Sequence, residues 1–263
     1  MIIIAYIIGY LFGKKFPKKN KDTELKEKIN FYKEIQGFVT YSQILEDFIL
    51  FCIFYDIKNG FYIDIGANDP NTDSVTKAFY LRGWHGINIE PLPDKYKFLL
   101  LKRNRDINLN IGVGKNEGNG TLYIGGIGGQ GSTLFKKYIK KKKKFIKIKI
   151  YSMKNICVKY VSKYQEIHFV KIDVEGGEKD VLLGYDFINY RPKVFCIEAT
   201  KPGTKIPTHH LWEKILIKNN YSFVYQYIVN RYYIDNKVRG LKERFNRIDK
   251  LIKKFRKNNL KKK

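Results

Sequence analysis

Three cysteines in 263 residues, no two of them close in sequence, exclude a disulfide framework. Cys52, Cys157 and Cys196 each sit in an apolar stretch (FILFCIFY, KNICVKY, KVFCIEA), and none has a partner at metal-ligand or redox spacing. They are therefore expected as buried, reduced thiols, which favours a reducing compartment. Apolar runs of membrane-spanning length are missing too. The stretch from Met1 to Phe12 would cover about 18 Å as a helix, against a hydrocarbon core of ~30 Å. It lacks a positive n-region and an A-x-A-like cleavage site, which argues against a secretory signal. Lys14, Lys15, Lys18 and Lys19 behind it suit either a short interfacial anchor or an extra helix packed on the domain. No internal repeat is present. Acidic residues are scarce: 25 Asp and Glu face 51 Lys and Arg, for a formal charge of +26. That balance fits a polyanionic partner, nucleic acid or an anionic membrane surface, or composition drift in a chain also rich in Ile, Asn, Tyr and Phe.

What is present reads as one α/β domain with appendages. Residues 1–40 hold the apolar segment and a Lys-rich linker, 41–236 the domain, and 237–263 a basic tail. From Tyr41 to Ile57 the sequence YSQILEDFILFCIFYDI is apolar on one helical face, with Ser42 as candidate N-cap. Strand signals follow at 61–66, 86–90, 107–113, 167–174 and 193–199, and helical ones near 74–82, 93–103, 177–188 and 208–219. Near-continuous apolar strands alternating with helices imply a mostly parallel sheet covered on both faces. Residues 114–150, Gly-rich and carrying five lysines at 140–144, read as an inserted antiparallel piece with a loop. After 221, YSFVYQYIVNRYYIDN reads as a closing antiparallel hairpin.

The chemistry-bearing motifs fall at the carboxyl ends of the strands, where open parallel sheets bind ligands. FYIDIGANDP (61–70) breaks from a strand into a small-residue turn without the G-x-G-x-x-G spacing that brings backbone N–H groups onto a pyrophosphate. Asp64 would repel phosphate but can accept from an ammonium. Glu90, closing GINIEP (86–91), is placed to take both hydroxyls of a ribose. A ligand with ribose and an amino-acid ammonium but no phosphate is S-adenosylmethionine. In HFVKIDVEGGEKDVLLG (168–184) a strand delivers Asp173 and Glu175 to the same edge, as a general base, a metal ligand or both. Glu178, in a first helical turn, reads as a structural surface acid. VFCIEAT ends another strand in Glu198 on that edge.

The set YSQ..ED, FYIDIGAN, GINIEP, NIGVG with its following glycines, and KIDVEGGEKDVL, in that order, resembles the FkbM-type family of S-adenosylmethionine-dependent methyltransferases over about residues 40 to 230. The resemblance implies a Rossmann-like class I methyltransferase fold, with a mostly parallel seven-stranded sheet, helices on both faces and a closing antiparallel hairpin. It implies O-methylation of a sugar or another hydroxylated metabolite. By the same resemblance Asp64, Gly66, Ala67 and Asn68 line the methionine end and Glu90 the ribose, while Asp173 and Glu175 face the transferred methyl group. Tyr41, Ser42, Gln43, Glu46 and Asp47 match the family's leading motif, with no role attached. Gly112 leaves the adenine contact unassigned. Segments 1–40 and 231–263 have no counterpart.

A sugar hydroxyl is a poor acid, so a carboxylate must deprotonate it late or a divalent cation such as Mg²⁺ must lower its pKa. Asp173, Glu175 and Glu198 are the candidate metal ligands, and His209 and His210 an alternative base. One rival keeps the fold and makes RNA the acceptor, on the strength of the charge and of Tyr225, Tyr227, Tyr232 and Tyr233; no RNA-binding module supports it. A non-catalytic membrane-associated scaffold and a nicotinamide oxidoreductase are weaker still. In the tail, Val238, Leu241, Phe245, Ile248, Ile252 and Phe255 recur at steps of three and four between basic residues. That pattern is expected either as a helix packed on the domain or as a basic amphipathic helix on an anionic membrane. The second option would place the protein on the cytoplasmic leaflet, near a glycan acceptor.

Overall fold

The structure, a computed structural model, describes residues 31–260 apart from 32, 36, 127 and 139–143, and the side chains of the last helix as far as 253. In chain order it holds α1 (Glu46–Phe54), β1 (Phe61–Ile65), α2 (Lys77–Leu81), β2 (His85–Ile89), α3 (Pro93–Lys102) and β3 (Ile107–Leu109). A second group follows: β4 (Gly112–Val113), β5 (Gly118–Gly125), β6 (Gly129–Thr133), β7 (Phe145–Tyr151) and α4 (Met153–Tyr160). The chain ends with β8 (Phe169–Ile172), α5 (Glu178–Leu183), β9 (Val194–Glu198), α6 (Glu213–Lys218), β10 (Tyr221–Tyr227), β11 (Asn230–Asp235) and α7 (Leu241–Leu260).

All five residues of β1 are buried, and only a central strand covered on both faces can satisfy such a run. β1 pairs in parallel with β2 on one side and β8 on the other. The whole seven-stranded sheet runs β10-β11-β9-β8-β1-β2-β3, with β11 antiparallel to both its neighbours. Strand alternation sorts the side chains into two cores. Tyr62, Phe169 and Cys196 face α1 and α7, whereas Ile63, Val170 and Phe195 face the core that holds Met153 and Trp212. The three cysteines are free and buried, and burial lifts the Cys157 thiol to about 12.

Several expectations are corrected here. The strand expected over 107–113 is two strands in different sheets. The Asn110 amide donates to the carbonyls of Glu90 and Pro91 (2.9 and 3.0 Å), and this turns the chain out of the main sheet. The second sheet, β4-β7-β5-β6, is the expected insertion, and α4, capped by Ser152, follows it unforeseen. The 177–188 helix stops at Leu183, and 208–219 divides into a short 3₁₀ turn at His209–Leu211 and α6. Ser42 does not occupy the cap position of α1, which Leu45 takes in left-handed backbone, φ 69°; the Ser42 hydroxyl donates to the Asp47 carboxylate and accepts from Asp47 N–H (3.3 Å) in the first turn.

The tail is a helix whose apolar stripe is not free to enter a bilayer. Leu241, Phe245, Ile248 and Ile252 are buried against α1 and the tyrosines of β10 and β11. Phe245 lies 5.6 Å from the Tyr232 ring, and Arg244 pairs with Asp56 near the end of α1. Among the described residues no helix is long and apolar enough to cross a membrane. Met1 to Phe12, Lys140 to Lys143 and the side chain of Phe255 lie outside the described residues.

Candidate active site

Where β1 ends, the chain must turn under the neighbouring strand. Gly66 does so at φ 81°, and a Cβ there would overlap the carbonyl oxygen of Asp173. The amides of Gly66 and Ala67 both donate to the Ile89 carbonyl (3.0 and 3.1 Å), which lays the turn against the end of β2. Asn68 follows at φ 49°, and its backbone N–H donates to Glu90 Oε2 at 2.7 Å. The other oxygen, Oε1, accepts from Leu92 N–H at 2.8 Å. Glu90 thereby ties the loops after β1 and β2 together, and each carboxylate oxygen keeps a lone pair for a ligand hydroxyl. Burial raises its pKa, with the two backbone donors opposing.

A cleft of about 1120 Å³, measured out to its mouth, opens above these turns. Gly66, Asn68, Glu90 and Leu92 line one part of it, with Ile111, Gly112 and Val113 beside them. Asp173 and Glu175 line another part, and Gln43, before α1, and Glu46, its first residue, reach it as well. The inserted sheet closes one wall through Leu122 and the segment Gly129 to Ser132. That wall is fastened across the cleft: Gln130 Nε2 donates to Asp73 (3.3 Å) and the Thr133 hydroxyl to the Glu175 carbonyl (2.7 Å).

Two of the residues expected at the methionine end are not on the cleft surface. Ala67 is buried beneath it. Asp64, 1% exposed, points at Lys171 instead, whose Nζ lies 3.4 Å from Asp64 Oδ1 and 3.5 Å from Asp173 Oδ2. The same Nζ donates to the Gly66 carbonyl at 2.7 Å. Burial alone would lower the Lys171 pKa, but the carboxylates of Asp64, Asp173 and Glu46 outweigh it and raise it. Lys171 lines the cleft and is the functional residue that sequence reasoning missed. Its signal was a lysine inside an otherwise apolar strand, FVKI.

The other acids form a graded set. Glu175 sits in left-handed backbone (φ 54°), a strained conformation for a non-glycine residue, and its side chain stands beside Gly131 of the inserted sheet. Burial first, then the charges of Asp173 and Glu178, push Glu175 up to about 7. Glu178 is buried rather than on the surface, and it caps the turn by accepting from Gly176 N–H at 3.0 Å. Burial and then Asp173, Glu175 and Glu178 raise the Glu198 pKa well above the usual carboxylate range. Glu198 accepts from the Thr200 hydroxyl (3.3 Å) and lies outside the cleft lining. Among the described residues no three His, Cys, Asp or Glu side chains are grouped to hold a metal ion, so Asp173, Glu175 and Glu198 do not assemble into the expected ligand set. His209 and His210 do not line the cleft either.

A seven-stranded sheet in this order, with one antiparallel strand inserted next to the edge and the cleft over the carboxyl ends of its central strands, is the class I methyltransferase architecture. The Methyltransferase FkbM domain model matches residues 64–225, more than half of the chain, and the chain belongs to that family. It is therefore an S-adenosylmethionine-dependent methyltransferase. No curated protein matches the chain. Solved structures similar to it include a TehB-like SAM-dependent methyltransferase from Corynebacterium glutamicum, with TM-score 0.41, 5% identity, and 82% of this chain and 100% of that one covered. Another is precorrin-6y C5,15-methyltransferase from Geobacter metallireducens, with TM-score 0.38, 10% identity, and 76% and 93% covered. Likenesses of that size carry no argument about substrate.

The residues present fit the methyl donor. The turn at Gly66 has no room for a side chain, Glu90 offers acceptors to a ribose, and the cleft carries carboxylates for an ammonium but no phosphate cradle.

Proposed function

We propose that this methyltransferase O-methylates a hydroxyl of a sugar or glycan, with Glu175 as general base. The observation that carries the reading is a half-buried carboxylate lining the cleft with its pKa pushed to about 7. A base poised near the working pH is what removal of a hydroxyl proton needs. Bound S-adenosylmethionine would supply a methyl group on a sulfonium, its S–CH₃ bond breaking to a neutral thioether as the O–CH₃ bond forms. The acceptor's proton passes to a Glu175 carboxylate oxygen as that bond forms, so no free alkoxide is needed. Lys171 keeps Asp173 paired, and burial favours the neutral form of Glu198, so ionised Glu175 meets less repulsion beside them before it takes the proton. The inserted sheet, pinned to both sides of the cleft, limits the access of water.

The carboxylate-lined cleft supports a neutral acceptor over RNA, because phosphates would meet Glu46, Asp173 and Glu175 with Lys171 the one cation among the described residues lining it. The test uses purified full-length protein, methyl-labelled donor, and separate glycan and RNA fractions as acceptors. Label is expected in the glycan fraction, with a rate that rises with pH through about 7 as Glu175 ionises. Glu175→Gln should lower that rate by about 100-fold or more and abolish the inflection. Label in RNA alone overturns the acceptor assignment, and a wild-type rate in Glu175→Gln overturns the base.

A further inference from the structure

The segment from Thr40 to Asp47 precedes the family match, yet it reaches the cleft through Gln43 and Glu46. It is held there with unusual force for a connection. Asp47, fully buried, accepts from the hydroxyls of Thr40 (2.6 Å) and Ser42 (2.7 Å) and from the amides of Tyr41 (2.6 Å) and Phe48 (2.7 Å). Leu45 adopts φ 69°, which costs a branched residue on the order of 1–3 kcal/mol and persists only where its surroundings enforce it. The result brings Glu46 inward at 8% exposure while Gln43 stays open to solvent at the cleft.

Glu46 is itself oriented. Its Oε1 accepts from the Asn230 amide at 2.9 Å and its Oε2 from Ile44 N–H at 2.9 Å. Asn230 pairs in register with Glu198, so Glu46 is anchored at the β9/β11 side of the sheet. Glu90 and Asn68 lie across β1, on the β2 side. Glu46, an oriented carboxylate, thus reaches the cleft from the side away from Glu90, and Gln43 lines the same cleft. Neither capping nor core packing requires Gln43 there.

We propose that Gln43 and Glu46 are the acceptor-orienting residues: Glu46 accepts from hydroxyls flanking the methylated one, and the Gln43 amide pairs with a further hydroxyl or ring oxygen. This rests on the hydroxylated-acceptor reading above and adds to it that selectivity among polyols resides in a segment ahead of residue 64, where the domain match begins. A carboxylate held in one orientation at the cleft suits the hydroxyl donors of an acceptor. An acceptor bearing a phosphate or carboxylate at that point would meet Glu46 unfavourably.

The experiment compares wild type, Gln43→Ala and Glu46→Gln on a panel of methyl glycosides of hexoses, deoxyhexoses and hexosamines plus released surface glycan, with labelled donor. Donor affinity is measured by titration calorimetry on the same samples. Both variants should raise KM for the transferred acceptors by about tenfold, with donor Kd within about twofold of wild type. The ranking of acceptors should change as well, which loss of fold alone cannot produce. Gln43 is exposed, so Gln43→Ala tests the idea even if Glu46→Gln is poorly folded. Unchanged acceptor KM and ranking in Gln43→Ala, with wild type active, overturns this inference alone. Wild type that binds donor but methylates no panel member overturns the hydroxylated-acceptor reading, and this inference with it.

Discussion

At the scale of single residues, the site is organised by a lysine that the chain's own carboxylates hold in place. A Lys in the middle of a buried strand carries a large desolvation cost, which Asp64 and Asp173 offset at 3.4 and 3.5 Å. The same contact keeps Asp64 off the cleft surface, because its position at the β1 end is taken up by Lys171. Removing one partner of a buried pair leaves an uncompensated charge. Asp64→Ala should therefore lower the unfolding free energy by about 3–5 kcal/mol, measured by urea titration. Stability within about 0.5 kcal/mol of wild type would show that the pair holds nothing together. The carboxylates of Glu90, Asp173 and Glu175 were legible from strand ends alone, because polar residues emerging from apolar runs have few structural excuses. Lys171 was not, since one lysine looks like another until its partners, 107 residues upstream and two downstream, are brought to it by β1 and β8.

At the scale of elements, periodicity located most of the main sheet but not its interruptions. β1, β2, β8 and β9 announce themselves as apolar runs, and the pattern placed each to within a residue or two. The division of 107–113 was invisible because it depends on the side chain of Asn110 reaching the Glu90 and Pro91 carbonyls, a contact between segments 19 and 20 residues apart. Helix bounds failed for a similar reason, with Gly184 ending α5 early and a short 3₁₀ turn at His209–Leu211 delaying the start of α6. The tail helix α7 shows the limit of amphipathicity. A stripe at helical spacing gives the face but not its partner, and here the partner is α1 with β10 and β11. Phe245, 1% exposed against Tyr225 and Tyr232, makes the test direct. Phe245→Ala should cost about 3 kcal/mol or more of stability without added vesicles, seen as a lower melting temperature. A melting temperature equal to wild type would return the helix to solvent.

At the scale of the whole molecule, charge and cleft have opposite character. The chain carries +26 overall, while its cleft is lined by Glu46, Asp173 and Glu175 with Lys171 among them. Lys242, Lys250 and Lys253 of α7 are exposed, so their influence is on what the protein approaches rather than on what enters the site. The central claim is that the donor sits over the carboxyl ends of β1 and β2, with Glu90 on its ribose. The most direct measurement is titration calorimetry of S-adenosylmethionine into the full-length protein and into Glu90→Ala, with circular dichroism to confirm that both are folded. The account predicts one donor per chain and a loss of about 1.5–3 kcal/mol of binding free energy in the variant. Equal affinity in the two folded proteins, or no binding by wild type, would contradict it.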